Sequence, residues 1–92
     1  MLRITTEQRE NSLSLRLEGR IEGPWVEVLR KTWIDAASRN GGREIAVDLG
    51  GVSSADRVGR TLLLTMQKQG VALTEPSGFM RQVLRHEGAE LN

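Results

Sequence analysis

The spacing of apolar residues switches repeatedly between two and nearly four along this chain, and that alternation constrains the fold more than any other feature. Leu13, Leu15 and Leu17 alternate with Ser14, Arg16 and Glu18, the pattern of a strand that buries one face and wets the other. Beyond Pro24, a residue suited to a first helical position, Trp25, Leu29, Trp33 and Ala37 recur every four residues, with Val26 and Ala36 beside them. Asn40-Gly41-Gly42 stops that helix. Ile45, Val47 and Leu49 return to the strand period, with Ala46 and Asp48 on the opposite face. After a polar loop from Val52 to Asp56, Gly59, Leu62, Leu63 and Met66 form one face of a second helix that ends at Gly70. Val71 and Leu73 alternate with Ala72 and Thr74 as a further strand. Ser77 caps a last helix that buries Phe79, Met80, Val83 and Leu84 and ends at Gly88. Upstream, Leu2 to Thr5 form a short first strand, and Asn11-Ser12 mark the turn that follows it; Gly19 to Gly23 extend the second strand with a bend.

The element order is therefore β-β-α-β-α-β-α. Strands that alternate with helices call for βα units and parallel pairing, while the first two strands can form an antiparallel hairpin. A parallel sheet covered on both faces has strands that are apolar throughout. Here Ala46, Asp48, Ala72 and Thr74 occupy the second face. The expectation is an α/β, two-layer domain with a mixed, mostly parallel sheet and helices mainly on one face.

The chain has 92 residues, enough for a single domain over residues 1–92 with one modest core. It contains no cysteine, which excludes disulfides, thiolate nucleophiles and cysteine metal sites and fits a reducing compartment. The single histidine, His86, excludes a multi-histidine metal site and suits the last turn of its helix as a cap. No cofactor is implied. No apolar run approaches the roughly 20 residues that cross a bilayer, and Gln8, Arg9 and Glu10 interrupt any signal-peptide core. A cytoplasmic domain without membrane insertion is expected, as a monomer or weak homodimer. The net charge of +1 and only three aromatics, all at helical positions that core packing explains, argue against nucleic acid.

The candidate functional residues cluster at the start of the second helix. Asp56 suits an N-cap, and its charge can also be presented to a partner. Arg57 opposes the helix dipole. It either points into water or forms a positive knob for an acidic surface. Leu64 falls opposite the packing face on helical geometry, with Arg57, Arg60, Thr61 and Lys68 on its side, the pattern of an interface centre or of a lone exposed leucine. Ser53 and Ser54 are turn-type residues, with Ser54 a candidate for phosphorylation and Thr61 a weaker one. Gly50-Gly51 does not open a phosphate loop, because no Gly-Lys-Ser/Thr follows. No two acidic residues converge with a base or nucleophile, so an enzyme is not expected.

The segment Val47-Asp48-Leu49-Gly50-Gly51-Val52 through Asp56, Gly59, Leu62 and Leu63, together with Leu15 to Glu22, resembles the STAS domain of bacterial anti-sigma-factor antagonists over nearly the whole chain. Gly23-Pro24-Trp25 resembles a stand-alone bacterial variety of that domain. The resemblance implies a regulatory protein–protein interaction module with an anti-sigma-factor kinase as partner. In switching members, a serine or threonine follows the aspartate and is phosphorylated. The added charge of about −1.5 to −2 separates the partners. Arg57 holds that position here, followed by Val58, so the phosphosite is degenerate. The partner-facing set implied is Ser53, Ser54, Asp56, Arg57, Arg60, Thr61 and Leu64. A STAS subunit of a transporter-associated complex and a small-molecule sensor, with ligand between the 52–56 segment and the last helix, stand as alternatives.

Overall fold

The computed structural model describes residues 1–91. Seven elements follow in the expected order: β1 (Leu2–Gln8), β2 (Ser12–Ile21), α1 (Pro24–Arg39), β3 (Glu44–Ala55), α2 (Arg57–Lys68), β4 (Ala72–Thr74) and α3 (Gly78–His86). The four strands form one sheet in the order β1-β2-β3-β4. β1 pairs antiparallel with β2, whereas β3 joins β2 and β4 in parallel. The alternating apolar rows of β2, β3 and β4 point to one face, where Leu15, Leu17, Val47 and Leu49 meet Leu29, Leu63, Met66, Met80 and Leu84 from the helices in a single core. Each such fully buried side chain contributes about 1.5–3 kcal/mol relative to exposure. The opposite face carries Arg16, Glu18, Asp48 and Thr74 and has no helix over it.

Three local expectations are corrected. Residues 52–55 are the end of β3 and not a loop, with Val52 paired to Gly19, Ser54 to Arg20 and Ala55 to Ile21. The cause is a pair of register shifts in the β2–β3 ladder, between Arg16 and Glu18 and between Gly19 and Arg20. Each sets one extra residue into β3, as a bulge does. The strand period therefore breaks after Leu49, and the next inward residue is Val52. Gly51 permits the first shift: a Cβ there would lie 2.8 Å from Glu18 Cγ and 3.0 Å from the Leu17 carbonyl. Gly51 is thus a packing requirement of the sheet, whereas a Cβ at Gly50 would crowd only the Asp48 carboxylate, at 3.1 Å.

Phe79, expected in the core, is 65% exposed, because α3 has only nine residues and docks through Met80 and Leu84, with Val83 half-buried. Ala37 is also exposed, since α1 seats Val26 and Leu29 and lays Trp25, Trp33 and Ala36 along the margin of the core.

Gly59 packs directly against the end of β2. A Cβ on it would lie 2.6 Å from the Ile21 carbonyl oxygen and 2.9 Å from Ile21 Cγ2. Helix propensity alone favours alanine over glycine by about 1 kcal/mol. Contact with a backbone oxygen outweighs it, because the strand end cannot move without loosening α2. Gly59→Ala is expected to destabilise by about 1–3 kcal/mol and Gly59→Leu by more. Thermal melts that show Gly59→Ala as stable as the unsubstituted chain would contradict this packing.

Candidate functional site

The carboxylate of Asp56 joins the starts of two helices. Asp56 precedes α2 in extended geometry, and its Oδ1 accepts from the Gly59 N–H at 2.7 Å, an N-cap bond. Its Oδ2 accepts from the N–H of Gly23, the residue before α1, at 3.0 Å. Its own N–H donates to the Ile21 carbonyl at 3.0 Å. Gly23 has φ 57° and ψ −137°, a conformation that only glycine adopts at low cost, and it has no side chain to cap α1. Asp56 supplies the missing acceptor from the neighbouring βα unit.

The N–H of Gly23, then that of Gly59, and to a lesser degree the Arg60 charge hold the Asp56 carboxyl below its ordinary value, against a smaller opposing effect of partial burial. Ionised Asp56 is therefore the form the fold binds.

Arg60 was expected beside Arg57 on an exposed face. It is half-buried, donating from Nε to Glu87 Oε1 at 2.8 Å and from Nη1 to the Ala55 carbonyl at 2.9 Å. It spans the gap between the end of β3 and the end of α3. This is the space in which a sensed ligand would have to lie.

Leu64 is half-buried against the core rather than ringed by bases. The chain after α3 turns back over α2: Ala89 is buried, Gln67 Nε2 donates to the Glu90 carbonyl at 2.6 Å, and the Glu90 N–H donates to Gln67 Oε1 at 3.0 Å. An angular plot of one helix carries no information about that return, which is why Leu64 plotted as exposed.

The exposed face of α2 starts at Arg57 and Val58 in its first turn and continues through Thr61, Thr65 and Lys68. Arg57 is exposed, and its side chain makes no hydrogen bond or ion pair among the described residues. Val58 is 58% exposed. Thr61 is exposed, and its hydroxyl donates to the Arg57 carbonyl at 3.0 Å. Ser53 is exposed at the end of β3 with its hydroxyl 3.4 Å from the Gly19 carbonyl, and Ser54 is half-buried in the ladder. Arg57 and Thr61 lie together on the exposed side of α2, whereas Arg60 reaches the end of β3 through the Ala55 carbonyl and Leu64 packs against the core. Val58 and Gly23 went unassigned in the sequence reading. An apolar residue in the first turn, off the packing stripe, was the available signal for Val58. Nothing local marked Gly23 as a partner of Asp56, 33 residues away.

Among the described residues no group of three or more His, Cys, Asp or Glu side chains is placed to hold a metal ion. No described helix is long and apolar enough to cross a membrane.

A four-stranded mixed sheet with three helices on one face, and a capped aspartate at the β3–α2 junction, defines the STAS class. The family model described as Mlab, STAS domain, matches residues 4–90, and the chain belongs to this STAS family. The structure of the anti-sigma-factor antagonist SpoIIAA in its unphosphorylated form is similar, with a TM-score of 0.73 and 23% identity over 98% of this chain and 87% of SpoIIAA. A crystal structure of Mglu matches with a TM-score of 0.66 and 26% identity over 80% of this chain, which corresponds to only 20% of the Mglu chain. Comparison with curated protein sequences gives no match.

The lowered pKa of Asp56 fixes the sign of a pH dependence. A carboxylate held below its unfolded value adds stability that is fully present above that value, 3.8 for aspartate. The contribution is lost as pH falls through the folded pKa. Asp56→Asn keeps an acceptor for Gly59 but turns an amide donor or nothing toward Gly23. It is expected to melt below the unsubstituted chain at pH 7, with the difference shrinking under acid. A difference that stays constant from pH 7 down to pH 2 would refute the link.

Proposed function

We propose that this chain is a cytoplasmic, non-catalytic protein–protein interaction module that docks through the first turn of α2 and the adjoining end of β3. The observation that carries this reading is an uncovered surface on a fixed base. Asp56 holds the start of α2 to the start of α1, while Arg57, Val58 and Thr61 project from that turn with nothing over them. Ser53 and Ser54 border the surface, and Arg60 and Leu64 lie at its inner margin. An apolar side chain with a cation beside it suits a partner surface with an apolar notch and an acidic rim.

The likeness to SpoIIAA supports an anti-sigma-factor kinase as partner. Because Arg57 stands where switching members carry a hydroxyl, docking here does not end by phosphorylation at that position. Ser54 remains unmodified in the ladder. The same substitution favours a second reading, a STAS subunit of a transporter-associated complex, in which no phosphoryl transfer is needed. The small-molecule sensor is disfavoured, since Arg60 already fills the space where that ligand would lie.

The test compares partner affinity and folding in the same variants. Val58→Asp is expected to weaken binding of the partner by about 2 kcal/mol, roughly thirty-fold in Kd. It should alter stability by no more than about 0.5 kcal/mol. Unchanged affinity with normal melts would place the docking surface elsewhere.

Phosphorylation gives a separate check. With an anti-sigma-factor kinase and ATP, the 53–61 segment is expected to stay unmodified, and Arg57→Ser to accept phosphate and lose its partner. Stoichiometric phosphate on Ser54 by mass spectrometry would overturn the non-switching reading.

A further inference from the structure

β1 lies at the edge of the sheet and pairs only with β2. The ladder determines which of its backbone groups are free. Arg20 donates its N–H to the Met1 carbonyl at 3.0 Å, and Arg9 donates to the Ser12 carbonyl at 2.8 Å, both in register with the β1–β2 pairs. By the alternation of an antiparallel ladder, Arg3, Thr5 and Glu7 also turn their N–H and C=O groups toward β2. Leu2, Ile4, Thr6 and Gln8 therefore turn theirs away from the sheet. An open row of this kind is a template for another strand.

The side chains on β1 specify which strand. When two copies of β1 run antiparallel about a two-fold axis at Thr5, Ile4 faces the second copy's Thr6 and Leu2 faces its Gln8. Each such pair exchanges both backbone hydrogen bonds. At the closer, non-hydrogen-bonded positions Arg3 faces the second copy's Glu7, and Glu7 faces its Arg3, with Cβ atoms about 4.5–5.5 Å apart. Both contacts join opposite charges. Moving the axis to Thr6 sets Arg3 against Arg9, and moving it to Ile4 leaves Arg3 and Glu7 unmatched. Arg3 makes no ion pair among the described residues, and Glu7 holds only a 3.8 Å contact with Arg9.

The layer above the edge fits the same contact. Thr32 of α1 shares a cleft with Thr6 and Gln8. Val28, one helical turn earlier on that flank, is 42% exposed. Ile4 of β1 is itself only half-buried.

The opposite edge cannot extend the assembly, because β4 has three residues and is followed by Glu75 with φ 56° and by Pro76. Pairing through β1 alone closes as a dimer and not as a filament.

We infer that β1 is a homodimerisation edge, in which two copies join their sheets antiparallel about Thr5, with Arg3 paired to Glu7 across the axis. The contact does not involve the first turn of α2, so it is independent of the docking proposed above, and each dimer presents two such turns.

The test measures the mass of the full chain in solution at concentrations up to about 1 mM, where weak associations become half-populated. The unsubstituted chain is expected to shift with concentration from 10.2 kDa toward twice that mass. Thr6→Pro removes an outward N–H without touching the β2 ladder and is expected to remain monomeric with a normal melt. Arg3→Glu and Glu7→Arg each set like charges across the axis and are expected to remain monomeric alone. Mixed in equal amounts, they restore attraction at both contacts and should form a heterodimer. A chain that stays at 10.2 kDa throughout overturns the inference. So does a dimer indifferent to Thr6→Pro, a species larger than a dimer, or a mixture of the two charge variants that fails to associate.

Discussion

Two helix starts in this domain depend on one carboxylate. Asp56 accepts from Gly59 in its own βα unit and from Gly23 in the preceding one, so a single negative charge serves the positive ends of α1 and α2 together. The arrangement requires the ends of β2 and β3 to lie side by side. The N–H of Asp56 ensures this by donating to the Ile21 carbonyl. It also requires glycine at two places for different reasons. Gly23 needs its backbone conformation, and Gly59 needs the space that a Cβ would take from Ile21. Replacing any of these three residues disturbs the other two.

The two register shifts in the β2–β3 ladder make that junction possible. They place extra residues in β3, so that it stays paired with β2 as far as Ile21 and Ala55 and hands over to Asp56 at once. The segment before α2 is therefore part of a hydrogen-bonded ladder rather than a free loop. The ladder holds the shape of this segment in the single chain. The same rigidity limits Ser54, whose backbone lies in the ladder and whose side chain is half-buried.

The chain shares the STAS frame, and it carries an arginine at position 57, directly after the capping aspartate. Its fixed charge opposes the helix dipole without a compensating side-chain partner among the described residues. Such an unpaired cation next to an exposed valine has a modest energetic cost to the isolated fold. The free edge of β1 has the same character in a different part of the sheet. Its outward backbone groups lie along the open edge of the sheet.

The order of the elements, the inward rows of β2, β3 and β4, the packing face of α2 and the cap at Asp56 were legible in the sequence. Each is set by spacing within one segment or by a residue adjacent to the helix it caps. Four features were decided only by the tertiary structure: the strand character of residues 52–55, the partial burial of Leu64 and Arg60, the exposure of Phe79, and the bond from Gly23 to Asp56. Three depend on a segment distant in sequence: β2 for the ladder, the chain after α3 for Leu64 and Glu87 for Arg60, and the start of α1 for the aspartate; the exposure of Phe79 follows from how the short α3 docks through Met80 and Leu84. A single-segment pattern records which face of an element is apolar. It does not record what another part of the chain brings to the remaining faces, and that is settled only when the elements pack.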